Sequence, residues 1–281
     1  MKIAFNEATT LHNSILKEDL ELCEKHGYDY IEVRLDKLKE YLTEHTTDDL
    51  KAFFDNSHLK PYAFNALEFI TFRDEAGYQQ IKDDLQFLCE VGDVVNCKKI
   101  VVVPTFDIGD YTRSQIKEET VSVLRELADL AEPYGVKLAF EFVGYPTCSV
   151  HSFGDAYEIV TETNRENVGV VLDCFHFHAM KSSIEDLKKA DPDKVFIFHI
   201  DDCEDLPPGA LRDHHRVWPG EGAIDLDAIL STLKEIGYSE MVSIELFRPE
   251  YWEWEADRTI RVGKETTEKA VSKYFAVDQR V

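Results

Sequence analysis

Val195-Phe-Ile-Phe-His-Ile-Asp-Asp202 decides how this chain is read. Its first half is apolar and rich in β-branched and aromatic residues, which predicts a short buried strand. With no turn residue between, the run reaches His199, Asp201 and Asp202. The same pattern, an oily strand with an ionisable group late in it, recurs in three other stretches. They are Lys137-Leu-Ala-Phe-Glu-Phe-Val143, Val168-Gly-Val-Val-Leu-Asp-Cys-Phe-His176 and Met241-Val-Ser-Ile-Glu-Leu-Phe247. Glu141, Asp173 and Glu245 thereby join His199 as one group. Buried carboxylates are costly unless paired or bound to a metal. Packing alone does not account for them, and the reading is a metal site.

Working outward, the chain alternates strands and helices throughout. Strands are predicted at 2–6, 30–35, 61–67, 99–105, 137–143, 168–173, 195–200 and 241–247. Helices are predicted at 16–26, 46–58, 78–95, 114–134, 152–163, 182–190, 225–236 and 256–274, from apolar spacing, Gly27 and Gly135 as stops, and Thr46-Thr-Asp-Asp49 as a start. Continuous apolar strands imply burial on both faces, as in a parallel sheet. Eight such units are best satisfied by a closed (β/α)8 TIM barrel, one α/β domain over residues 1–281. A doubly wound open sheet would usually offer a Gly-rich first turn. Here that turn is Asn6-Glu-Ala-Thr-Thr10, with no glycine.

The composition narrows the partners. Lysine and arginine number 31 against 55 acidic residues, a formal charge of −24, which repels phosphate backbones and argues against nucleic acid. No apolar run has membrane-spanning length, and the opening Met-Lys-Ile-Ala-Phe-Asn is a strand rather than a signal peptide. The six cysteines are scattered without a Cys-x-x-Cys pair. A reduced, cytoplasmic enzyme without disulfides fits best, acting on a small molecule and open to homo-oligomerisation. Cys174 beside Asp173 reads as a packed thiol, not a nucleophile.

In a (β/α)8 barrel the active site lies at the C-terminal ends of the strands. Glu141, Asp173, His199 and Glu245 fall there, on four successive strands. Three carboxylates and an imidazole suit one divalent ion, with oxygen-rich ligation favouring Mn²⁺ slightly over Zn²⁺ and Co²⁺ a further option, and without it the carboxylates would repel one another. Asp201 or Asp202 is placed to hold a ring N–H of a nearby imidazole. His176 is read as a hydrogen-bonding group facing substrate, and Trp218 or Trp252 as an apolar face for it. The loop from Cys203 to Ala223 is long enough to be functional, and it carries Arg216-Val-Trp-Pro-Gly-Glu-Gly222.

Glu141-Phe-Val-Gly, Asp173-Cys-Phe-His176, His199-Ile-Asp-Asp202, Arg216-Val-Trp-Pro-Gly-Glu-Gly222 and Ser243-Ile-Glu245 together resemble the xylose isomerase-like barrel family of sugar isomerases and epimerases. Phe5-Asn-Glu-Ala-Thr-Thr10, Phe175-His-Phe-His178 and Glu245-Leu-Phe-Arg-Pro-Glu-Tyr251 resemble its inosose-isomerising branch in inositol catabolism. The resemblance covers nearly the whole chain and implies Glu141, Asp173, His199 and Glu245 as metal ligands. It further implies contacts to substrate hydroxyls from His176 and Arg216, and proton transfer by Glu141 and Glu245. The implied activity converts 2-keto-myo-inositol, a cyclic polyol ketone, to 1-keto-D-chiro-inositol through an enediol. A ketose 3-epimerase or a hydroxypyruvate isomerase is the alternative in this chemistry. An abasic-site endonuclease or a sugar-sensing protein without activity are alternatives outside it. The acidic charge disfavours the endonuclease, and the intact ligand set disfavours the sensor.

Overall fold

Eight parallel strands close into a barrel in the computed structural model, which describes residues 1–207 and 209–277. They are β1 (Lys2–Asn6), β2 (Tyr30–Arg34), β3 (Lys60–Leu67), β4 (Lys99–Val102), β5 (Lys137–Glu141), β6 (Val168–Asp173), β7 (Val195–Ile200) and β8 (Met241–Ile244). Neighbours in chain order are neighbours in space, and β1 closes the ring on β8 with Lys2 opposite Met241 and Phe5 opposite Ile244. Parallel pairing needs crossovers, and helices supply them. Those are α1 (Leu16–Lys25), α2 (Leu35–Tyr41), α3 (Thr47–Asn56), α4 (Glu75–Val95), α5 (Arg113–Ala131), α6 (Phe153–Thr163), α7 (Cys174–Ala179), α8 (Ile184–Leu187), α9 (Leu226–Ile236), α10 (Pro249–Trp252) and α11 (Ala256–Val271).

The two-residue period of a strand sorts side chains into two cores. Phe140, Leu172, Phe198 and Ile244 point outward and pack in the layer shared with the helices. Ala139, Val171, Ile197 and Met241 point inward and fill the barrel. Glu141, Asp173 and His199 each stand two residues beyond an inward residue, and Glu245 stands four beyond Met241. The period therefore aims all four into the mouth. In register, Asp173 lies opposite His199, and His199 opposite Ser243.

Several expected boundaries move. The strands expected at 99–105, 137–143 and 241–247 end at Val102, Glu141 and Ile244, because the chain turns away there to build the mouth. Asp74 caps α4 by accepting the Gly77 N–H, which starts that helix earlier than expected. The helix expected at 182–190 shrinks to the single turn of α8. An unexpected helix, α7, begins directly after Asp173, whose carboxylate accepts the His176 N–H at 2.7 Å as a cap. Six residues are too few for a periodic signal to show.

The long loop folds back on itself. Asp202–Cys203 pairs antiparallel with Arg216–Val217, which returns Arg216 to the barrel mouth. Asp202 fastens the fold by accepting N–H groups of Cys203, Gly220 and Ile224 at 2.9, 3.0 and 2.9 Å. Gly222 permits this close approach: a Cβ there would lie 2.2 Å from the Cys203 carbonyl oxygen. Among the described residues no helix is long and apolar enough to cross a membrane. All six cysteines are free and buried.

Candidate metal centre

Glu141, Asp173, His199 and Glu245 each offer one ligand atom, and these atoms all lie within 4.8 Å of one another. His199 turns Nδ1 toward the carboxylates, 3.1 Å from Glu141 Oε1, 3.2 Å from Glu245 Oε2 and 3.8 Å from Asp173 Oδ2. Its other nitrogen, Nε2, meets the two oxygens of Glu32 at 3.0 and 3.2 Å. A fully buried carboxylate on the far side of an imidazole fixes the ring and its tautomer, the arrangement that orients histidine ligands in metal sites. Three hard oxygens and one nitrogen, converging from four strand ends, fit a divalent ion.

Electrostatics describe the same group as one made for a cation. Burial, reinforced by Glu245, pushes Glu141 up to about 8. Burial also acts to raise Glu245, but His199 and Arg216 outweigh it and hold Glu245 down at about 2. For His199, burial favours the neutral ring, yet Glu245, Glu32 and Glu141 together hold its proton well above the usual imidazole range. Without a metal the cluster therefore keeps protons on Glu141 and His199 in place of the missing charge.

Arg216 is fully buried and binds the centre together from the loop. Its Nη1 donates to Asp173 Oδ2 at 2.7 Å and to Asp201 Oδ2. Nη2 donates to His176 Nε2 at 3.1 Å and to Asp213 Oδ1 at 3.2 Å, and Nε reaches the same oxygen at 3.3 Å. All five donors of a guanidinium are thus engaged by protein. The expected direct contact between Arg216 and substrate hydroxyls has no free N–H to make it, although Arg216 does line the cavity. His176 also lines it. Its Nε2 accepts from Arg216, so the proton resides on Nδ1, which is buried and without a hydrogen-bond partner among the described residues. Burial keeps this ring neutral by lowering its pKa against the pull of Asp173.

Other expectations change as well. Neither Asp201 nor Asp202 holds an imidazole N–H: Asp201 takes Arg216 and Asp202 anchors the loop. That role falls to Glu32. Its signal was a carboxylate between Ile31 and Val33 in a strand, the same signal that exposes Glu141. Asn6 and Asn65 were also missed; their amides donate to Glu245 Oε1 at 2.8 and 3.4 Å. Trp218 stacks on Tyr251 at 4.4 Å, and Trp252 donates its indole N–H to the Ala8 carbonyl at 3.1 Å. Neither tryptophan lines the cavity of about 200 Å³ beside the carboxylates, whose aromatic side chains are Phe69, Phe106, Tyr145 and Phe247. The Cys174 thiol is pushed up by burial and is packing, as expected.

A family model described as xylose isomerase-like TIM barrel matches residues 20–266. The chain is 57% identical over 278 residues to the inosose isomerase of Bacillus subtilis (strain 168), covering 99% of this chain and 100% of that one. The inosose isomerase of Bacillus velezensis is 56% identical over 276 residues, covering 98% and 99%. Among solved structures, a crystal structure of IOLI protein with a binding zinc atom superposes with a TM-score of 0.97 at 57% identity, covering 99% of this chain and 100% of that one.

Proposed function

The chain belongs to the xylose isomerase-like TIM barrel family, and from that premise we propose that it is a divalent-metal-dependent isomerase interconverting 2-keto-myo-inositol and 1-keto-D-chiro-inositol. One observation carries the reading. A chain matching inosose isomerases over nearly its whole length keeps three carboxylates and an imidazole converging beside a small cavity. Glu141, Asp173, His199 and Glu245 would hold the ion. The zinc in the IOLI protein structure favours Zn²⁺ over Mn²⁺ or Co²⁺ here.

A divalent ion supplies Lewis acidity for a ketone and its neighbouring hydroxyl. The chain's own groups divide the proton work. Glu245 is the base, aimed by the Asn6 amide and flanked by the Arg216 guanidinium. It takes the proton from the carbinol carbon next to the ketone, and the electron pair left behind forms the double bond of an enediol. Glu141, the other cluster carboxylate lining the cavity, moves the proton between the two substrate oxygens. A proton delivered to the former ketone carbon, with loss of the hydroxyl proton from its neighbour, completes the shift of the carbonyl by one carbon. Arg216 positions Asp173 and His176, and His176 offers its Nδ1–H to an oxygen of the substrate.

The test is product identity. Zinc-loaded protein incubated with 2-keto-myo-inositol should yield 1-keto-D-chiro-inositol by NMR, stop when the metal is chelated, and resume on adding Zn²⁺, Mn²⁺ or Co²⁺. No ketone migration, with inversion of an open-chain ketose at its third carbon instead, would replace this reading with a 3-epimerase.

A further inference from the structure

Part of the cavity wall is a run of aromatic rings. Phe69 meets Phe106 edge-on at 5.8 Å, and Phe106 stands 6.0 Å from Tyr145. All three line the cavity together with Glu141, Glu245 and His176. Stability does not explain Phe69. Large apolar side chains stabilise a fold by leaving water, yet Phe69 remains 39% exposed. Its backbone φ is 58°, a left-handed conformation that disfavours a bulky residue and suits glycine. A ring kept against both preferences is kept for what it faces, and it faces the cavity.

Resting on the inosose isomerase reading, we propose that Phe69, with Phe106 beside it, determines specificity as an apolar shelf for one face of a six-membered ring. The chemistry of the substrate fits such a shelf. Oxidising the single axial carbinol of myo-inositol to a ketone leaves every remaining hydroxyl equatorial, so each ring face presents only axial C–H bonds. Those hydrogens are weakly positive and meet the negative faces of aromatic rings favourably. The equatorial oxygens are left to the metal ligands, His176 and the charged groups of the rim. An open-chain polyol offers the same vicinal hydroxyls but no such face. The shelf therefore selects flat-faced cyclic ketones over open-chain ketoses that the same metal chemistry would accept.

Phe69→Gly tests this without risk to the fold, because it removes the ring and the unfavourable backbone state together; its thermal midpoint should equal or exceed that of the parent. Binding is measured by calorimetry on zinc-loaded protein, with scyllo-inositol as the ring whose faces are all C–H and xylitol as the open-chain control. The expected result is a Kd for scyllo-inositol about tenfold weaker in Phe69→Gly, with xylitol changed less than about twofold and Phe69→Leu in between. Equal weakening of both ligands, no weakening of either, or no preference of the parent protein for scyllo-inositol over xylitol would each overturn the shelf. The readout does not depend on turnover. Failure to isomerise inososes would therefore sink the functional reading while these constants still judged the shelf.

Discussion

Loading the metal should expel protons, and the structure says how many. Glu141 sits at about 8, so at pH 7 roughly nine in ten molecules carry a proton there. His199 carries another, since its pKa lies well above the usual imidazole value. A divalent ion takes the carboxylate and the neutral ring, so both protons must leave. Each adds about one decade of apparent affinity per pH unit, or about 100-fold between pH 6 and pH 7 for the pair. The share from Glu141 levels off above about pH 8. Zinc affinity measured against a competing chelator across this range gives the slope. Binding heats in buffers of different ionisation enthalpy count the protons directly, and the expected count at pH 7 is close to two. The sign for the metal-free protein follows. Both folded pKa values are raised, so their stabilisation is complete below the unfolded values and is lost as pH rises through the folded ones. The thermal gain from zinc should accordingly be larger at pH 8 than at pH 6. A flat affinity profile with no proton release would refute the charge arrangement derived for the four ligands.

Three further outcomes are expected. Glu32→Gln removes the carboxylate behind His199 and should weaken zinc binding about 10- to 100-fold, whereas an unchanged zinc Kd would make Glu32 a packing residue. Arg216→Lys cannot serve Asp173, Asp201, His176 and Asp213 at once, so turnover should fall at least about tenfold together with metal affinity. Loss of turnover with metal affinity intact would return Arg216 to direct substrate contact. Gly222→Ala sets a Cβ 2.2 Å from the Cys203 carbonyl oxygen and should cost about 2–4 kcal/mol in urea unfolding; a cost under about 0.5 kcal/mol would mean that the Asp202 anchor yields freely.

The barrel and the convergence of Glu141, Asp173, His199 and Glu245 were legible because their signals are local. Each apolar strand carries its own ionisable tip, and each long helix its own apolar stripe. What supports the ligands was not legible, for reasons that differ by residue. Glu32 gave a local signal, but it lies in the middle of a strand whose tip is Arg34, so attention to strand ends passes over it. Arg216 is settled by a loop that returns through the ribbon with Asp202–Cys203, a contact no spacing encodes. Asn6 and Asn65 read as ordinary polar residues until the barrel closes and brings Glu245 to them. The helix after Asp173 is too short for periodicity, and its cap is a carboxylate that also faces the metal cluster.

The central claim is that one carboxylate cluster both holds the ion and moves the proton, and Glu245→Gln at saturating zinc addresses it most directly. The amide keeps an oxygen able to ligate but loses the negative charge and the basicity. Zinc should bind more weakly and still reach full occupancy through Glu141, Asp173 and His199. Under that condition, isomerisation of 2-keto-myo-inositol should fall by about 100- to 10,000-fold, the contribution of a general base, and any deuterium uptake from D2O should slow with it. Turnover at the parent rate in the fully zinc-loaded variant would contradict the account, leaving Glu245 a ligand only.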